Sequence, residues 1–209
     1  MIDLLENYDI NEDGVIYQID KNAFPYDKEY VENSYVNRLG ELSNYMAYLR
    51  LGYIIGHIGI PYSIMDVGYG DGSFLKACKK IIPTCAGNDI SKYEIPEGCE
   101  FVSNITDRYF QVITFFDCLE HFENIDFVSS LQCKYLVLTV PYCHYHNKEW
   151  FKEWHHRKPD EHLWHFNLDS LNNFMKRMGY NLSNHSQLED VLRNKLGNEQ
   201  NTLTCIYKK

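Results

Sequence analysis

Several features that would declare a function at once are missing from this 209-residue chain. No apolar run approaches the ~20 residues needed to span a bilayer, so a membrane role is not expected. Residues 1–7 lack the basic region and apolar core of a signal peptide, and a cytoplasmic location is the expectation. Positive charge is short: 20 Lys and Arg stand against 29 Asp and Glu, with a net charge of -9. Nucleic-acid binders usually carry a basic face, so this balance argues against a nucleic-acid partner and leaves room only for a small local site around Lys152, Arg157 and Lys158. The seven cysteines include no C-x-x-C pair and read as reduced thiols, with Cys78, Cys85, Cys118 and Cys205 as small core residues. The P-loop string G-x-x-x-x-G-K-[ST] is absent. So are internal repeats and low-complexity stretches. Nothing in the sequence speaks to oligomeric state. The length suits one well-buried α/β domain and not two.

What is present centres on residues 64–75. An apolar run ends in Asp66-Val67 and gives way to Gly68-Tyr69-Gly70-Asp71-Gly72, followed by a helix start at Ser73. A strand running through glycines into a helix is how parallel α/β folds hold nucleotide-like ligands, because glycine lets ligand and backbone approach closely. The third glycine comes one residue too early for the dinucleotide pattern G-x-G-x-x-G. Asp66 and Asp71 would repel a pyrophosphate and suit a ligand carrying ammonium and sulfonium groups.

The rest of the chain supplies the alternation such a fold needs. Residues up to about Pro25 look like a loosely attached leader, with a short strand at Val15–Ile19. From Asp27 to His57, Tyr30, Ser34, Arg38, Leu42, Tyr45, Leu49 and Ile54 recur at helical spacing. Strands are expected at 63–67, 84–90, 100–103, 109–116, 135–140, 180–186 and 201–207. Helices are expected at 73–82, 125–131, 169–178 and 188–194. An alternating βα order implies a parallel sheet with helices on both faces, and ligands bind at the carboxyl ends of its strands. Asp89 falls at the end of the second of these strands, 17 residues after Gly72, where an acid can accept from both ribose hydroxyls. The fourth ends in Asp117-Cys118-Leu119-Glu120-His121.

These residues together resemble the class I S-adenosylmethionine-dependent methyltransferases, over about Ser63 to Tyr207. The acidic glycine turn is similar to the family's first motif and the Gly87–Ser91 stretch to its second. Residues 117–121 resemble the "LEH" segment of the small-molecule branch. The resemblance implies a Rossmann-like α/β fold with a seven-stranded, mostly parallel sheet whose last strand is antiparallel, and an N-terminal helical cap. It divides the chain into a leader and cap at 1–60 and a cofactor-binding domain at 61–209. It implies S-adenosyl-L-methionine as cofactor and a small-molecule substrate. Asp66 would hold the cofactor ammonium, and the amides around Gly68, Tyr69, Gly70 and Gly72 would meet its carboxylate. Asp89 would bind the ribose, Ile90 and Asn104 the adenine, and Asp117 and Cys118 the methionine part.

Methyl transfer to a hydroxyl requires removal of a proton, and a histidine suits that task. His121 is the first candidate as base. Six of the nine histidines fall between His144 and His165. Their spacing fits no standard zinc motif and only Cys143 accompanies them, so no metal is expected from the pattern. The loop at 141–168 instead resembles the "H-x-R-P-x-E-H-L-x-x-F" stretch of methyltransferases acting on sugars and other small metabolites, with Lys158 inserted between Arg and Pro. That likeness directs His162 and His165 to the acceptor. A polar loop that only packs its aromatics on the sheet is the plainer alternative. Two other functional readings stay open: a nicotinamide-dependent oxidoreductase, and a non-catalytic protein that keeps the fold for binding.

Overall fold

The computed structural model describes residues 3–22, 24–193 and 199–209, without the side chains of Ser34, Tyr35 and Arg38. Two short strands open the chain, β1 (Tyr8–Ile10) and β2 (Ile16–Gln18). A helical stretch follows as α1 (Lys28–Val31), a wider π turn at Glu32–Val36 and α2 (Asn37–Leu39). It is separated by Gly40 from the long α3 (Glu41–Ile58). The helical stretch expected over 27–57, as one long helix or two short ones, is in pieces, and the break before α3 falls on a glycine with φ 49°.

The main sheet has the strands β3 (Ser63–Val67), β4 (Thr84–Asn88), β5 (Glu100–Phe101), β6 (Phe110–Phe116), β7 (Cys133–Pro141), β9 (Asn181–Ser186) and β10 (Thr202–Lys208). Their spatial order is β5-β4-β3-β6-β7-β10-β9, and β10 runs antiparallel to both neighbours. This is the seven-stranded Rossmann-like class I methyltransferase arrangement that the sequence led one to expect.

Alternate residues of the central strands feed opposite faces, as a period of two demands. On one face Ile64, Val112, Phe116, Val137 and Ile206 pack with Leu51 and Ile54 of α3 and with Phe74 and Leu75 of α4 (Ser73–Cys78). On the other, Met65, Val67, Ile113, Phe115 and Leu138 pack with Leu171, Phe174 and Met175 of α6 (Leu168–Arg177). Burial on both faces explains why β3, β6 and β7 read as nearly unbroken apolar runs. Helix α6 starts at a reciprocal cap between Asn167 and Ser170.

The expected helix at 125–131 is a 3-10 turn at Asp126–Ser130, and the one at 188–194 is a 3-10 turn at Leu188–Val191. Asn194 lies outside the described residues. The leader departs most from expectation. β2 pairs with β1 on one side and with β8 (Trp164–His165) on the other, so residues 8–18 form a small antiparallel sheet with the histidine-rich segment. That segment also contains α5 (Lys148–Glu153), and its Phe151 packs with Tyr8, Ile16 and Cys143. On the far side Arg177 of α6 donates to Asp13 at 2.6 and 2.9 Å. Val15 is fully buried. The acidic surface composition of the leader hides this short apolar anchor.

Candidate functional site

The carboxyl ends of β3, β4 and β6 meet beneath two adjoining cavities of about 920 and 490 Å³. Both volumes fall in the range of small-molecule sites. Tyr30, Gly68, Gly70, Asp117 and His121 line both.

The larger cavity is built from the glycine turn and the end of β4. Gly68 has φ 77°, and a Cβ there would lie 2.4 Å from Cys118 Sγ, so the chain reversal admits no side chain. The Gly68 amide donates to the Asn88 carbonyl at 2.7 Å and the Gly70 amide to Asp89 Oδ2 at 2.9 Å. Asp89 Oδ1 accepts from the Ser91 amide at 2.8 Å. The turn is thus locked to β4, with Asp89 at the cavity edge and Ile90, 76% exposed, beside it. Because their amides are engaged in this lock, Gly68 and Gly70 are not free to receive a carboxylate as the sequence suggested. Gly72 lines neither cavity; it packs on Pro96 and opens α4, and a Cβ there would meet Pro96 Cγ at 2.5 Å. The Tyr69 ring turns into the core against Gly87 and Leu75, and its hydroxyl donates to the Tyr93 carbonyl. Asn104 is a further correction. Its amide group donates to Asp107 at 2.6 Å and its carbonyl oxygen accepts from Thr106, so it closes its own exposed turn while Phe101 and Ser103 line the cavity.

Asp66 and Asp117 stand where the cavities join the sheet. Asp66 is buried and accepts from the Thr114 hydroxyl at 2.6 Å. Burial raises its carboxyl to about 7, against the smaller lowering effect of the Thr114 hydrogen bond. Asp117 adopts a left-handed backbone with φ 49°. It accepts from Arg50 at 2.9 Å and from Arg193 at 2.5 Å. Burial disfavours its charge, yet the two guanidinium groups hold it well below the usual carboxylate range. Both arginines also bond the fully buried Glu189, at 2.7 Å in each case, and Glu189 accepts from the Thr139 hydroxyl at 2.8 Å. Two cations and two anions balance in this cluster. Sequence reading passed over Arg50, Arg193 and Glu189. The available signals were one cation in the otherwise apolar Leu49–Ile55 stretch and the Glu189/Arg193 spacing of four.

The smaller cavity is lined by Arg50, Asp66, Glu120, His121, His156, Lys158, Glu161 and His162, among others. His121 Nδ1 lies 2.8 Å from the Glu161 carbonyl and 2.6 Å from the Tyr26 hydroxyl. His162 Nδ1 lies 2.7 Å from the His156 carbonyl. The two rings meet edge to face with centroids 4.7 Å apart. Burial pushes both imidazoles below their ordinary range. Glu120 is fully buried, neither of its carboxyl oxygens has a partner, and burial with the nearby Asp117 charge raises its carboxyl strongly. The structure thus brings His121 and His162 together. It does not bring His165 to them: that ring is packed among Tyr8, Phe151 and Trp154 and lines neither cavity. The reason is the strand period. On β8, His165 faces the small sheet's own core, where Ile16 is its paired residue.

Among the described residues no helix is long and apolar enough to cross a membrane. No curated protein matches the sequence. Solved structures of similar fold include 1,6-didemethyltoxoflavin-N1-methyltransferase from Burkholderia thailandensis, with 1,6-didemethyltoxoflavin and S-adenosylhomocysteine bound. It is 13% identical, with a TM-score of 0.59, and the match covers 97% of this chain and 99% of that one. Magnesium protoporphyrin IX methyltransferase from Synechocystis PCC 6803, bound to S-adenosylhomocysteine, is 11% identical at a TM-score of 0.56 over 87% and 97%. A SAM-dependent methyltransferase from Archaeoglobus fulgidus is 18% identical at 0.56 over 79% and 94%. A family model described as the methyltransferase domain matches residues 33–185. With that match across most of its length, and with the sheet order described above, the chain belongs to the methyltransferase domain family and has its class I fold.

Proposed function

We propose that this protein is an S-adenosylmethionine-dependent methyltransferase that methylates a hydroxyl of a small metabolite, in the class of sugars or sugar nucleotides. The observation that carries the reading is the pair of cavities joined at Gly68, Asp117 and His121. One offers a nucleoside site and the other a cluster of proton-handling groups.

The larger cavity fits the cofactor. Asp89 has lone pairs left for ribose hydroxyls after its two amide bonds, and exposed Ile90 gives an apolar face to adenine. Asp66 suits the ammonium group. Arg50, which with Asp66 lines the adjoining smaller cavity, is the candidate for the carboxylate, since the Gly68 and Gly70 amides are engaged. Asp117 and Cys118 border the methionine part. The cofactor, when bound, supplies a methyl group already activated on a sulfonium. The chain's own task is to hold the acceptor in line, exclude water and take a proton. Glu120, His121 and His162 face the acceptor cavity and are the groups that handle that proton. Residues 61–209 carry both sites, while the segment before residue 61 closes over them through Tyr26, Tyr30 and Arg50.

Calorimetric titration with S-adenosylmethionine, S-adenosylhomocysteine and NAD tests the cofactor. The first two should bind, and binding of NAD alone would return the oxidoreductase reading. Incubation with methyl-labelled cofactor and a metabolite extract, with mass spectrometry of the labelled product, tests the acceptor. A labelled ether supports hydroxyl methylation. A labelled amine would replace it, and tight cofactor binding without any product would favour a binding role.

A further inference from the structure

A buried carboxylate with no partner is costly unless something neutralises or bonds it. Glu120 is such a group, fully buried with both oxygens unpartnered. Beside it stand His121 and His162. One ligand atom from each of the three lies within 4.8 Å of the other two. The protonation pattern of the imidazoles follows from their neighbours. A carbonyl oxygen only accepts, and the Tyr26 hydroxyl beside His121 Nδ1 donates to the same Glu161 carbonyl at 3.2 Å, so His121 Nδ1 carries a proton toward that carbonyl and His162 Nδ1 toward the His156 carbonyl. Both Nε2 atoms are left with a free lone pair, and His121 Nε2 lies 3.9 Å from Glu120 Oε1. Anchoring Nδ1–H on a carbonyl while presenting Nε2 is how proteins orient histidines that ligate metal ions.

We propose that Glu120, His121 and His162 form a site for one divalent transition-metal ion, with its remaining coordination positions open to the acceptor cavity. Two imidazoles and one carboxylate are a donor set suited to zinc, cobalt, iron or manganese rather than to magnesium or calcium. Ligand distances near ~2.1 Å around a tetrahedral ion set ligand atoms roughly 3.4 Å apart, so atoms now within 4.8 Å of one another draw closer by up to about 1.4 Å. Three protein ligands leave room for an exogenous oxygen, the usual form of a catalytic site. The cations lining the same cavity are paired elsewhere, Lys158 with Glu161 at 2.8 Å and Arg50 and Arg193 with Asp117 and Glu189, and do not take the place of the ion. On the reading of the protein as an O-methyltransferase, the three ligands act on the proton through the ion: the acceptor hydroxyl would enter an open position, its lowered pKa would release the proton to solvent water, and the oxygen lone pair would then form the O–C bond as the sulfonium S–C bond breaks. The exposed group His144, His146 and Glu199 also lies within ligand distance. There His146 already bonds Glu199 at 2.9 Å, and no buried unpartnered atom points to an ion.

The test uses the full chain stripped with a chelator and titrated with Zn2+ and Co2+, read by calorimetry and by the cobalt visible spectrum. One ion per chain should bind, with cobalt bands showing nitrogen and oxygen ligands. Glu120→Gln and His162→Ala should each lower affinity at least as much as the about 10–100-fold cost of losing an outer-shell partner. His146→Ala should leave it unchanged. Absence of binding to the wild type overturns the proposal, as does loss of binding in His146→Ala with Glu120→Gln unaffected. S-adenosylmethionine titration of the same samples reports whether each variant is folded, and two independent ligand variants guard against one that is not. Metal binding without cofactor binding would sink the methyltransferase reading and leave the ion site standing; the reverse would sink the ion site alone.

Discussion

The two cavities are made in different ways. The larger one takes its floor from short pieces of chain next to one another in the sheet, with Lys21, Asn22, Phe24, Tyr26, Tyr30 and Val31 laid over it. The glycine turn follows β3, Asp89 follows β4, and backbone hydrogen bonds of 2.7 and 2.9 Å fix one to the other. The smaller one is assembled from distant parts. Tyr30 reaches Glu161 across 131 residues, Arg50 meets Asp117 across 67, and Arg193 meets the same carboxylate across 76. A cofactor shared by many enzymes is served by local backbone geometry. The smaller cavity is walled by side chains collected from the cap, the β6 end, the histidine-rich segment and Arg193.

That contrast can be broken experimentally. Glu189→Ala should have the largest effect, because it leaves Arg50 and Arg193 buried around a single carboxylate. A loss of about 3–5 kcal/mol in chemical denaturation is expected, and a loss under 1 would show that the assembled half is loosely held. Gly68→Ala strikes the local half, where positive φ and the Cys118 contact together should cost about 2–4 kcal/mol. A normal melting curve would mean the turn can open. Asp89→Ala should leave the fold largely intact and weaken cofactor binding by about 10–100-fold through lost charge-assisted hydrogen bonds. Unchanged affinity in calorimetry would remove the ribose assignment.

Asp66 ties the contrast to pH. Its folded carboxyl is raised to about 7 from an ordinary value of 3.8. The folded chain therefore holds a proton that the unfolded chain has released, and stability falls as pH climbs through that window. An ammonium ligand needs the ionised form, so cofactor affinity should rise with pH up to about 7 and then level off. In Asp66→Asn affinity should be weaker and lose this rise; a rise that survives would assign it elsewhere. The smallest effect belongs to Asn104→Ala, within about 0.5 kcal/mol of the wild type as for most exposed positions, with cofactor affinity unchanged. A clear loss of affinity would restore Asn104 to the adenine site.

Much of the local half was readable in advance. Asp66, Gly68, Gly70, Asp89, Ile90, Asp117 and Cys118 all border the joined cavities. They follow strand ends, and a strand end in a parallel sheet has only one place to put them. Asn104 and Gly72 line neither cavity, and the sequence could not foretell it because turn chemistry and ligand binding favour the same residue types. His165 was misjudged because spacing along a loop says nothing of which face a two-residue strand will show. Arg50, Arg193, Glu189 and Tyr26 were passed over because their partners lie far away in sequence.

The sequence by itself determined the sheet, its strand ends and the turn that shapes the nucleoside cavity, since period-two burial and glycine backbone freedom are local properties. Tertiary structure alone decided which histidines line the smaller cavity, that the leader is anchored, and that Glu120 lies buried beside two oriented imidazoles. Those outcomes depend on long-range packing, where the nearest neighbour of a side chain is set by the fold and not by the residues beside it.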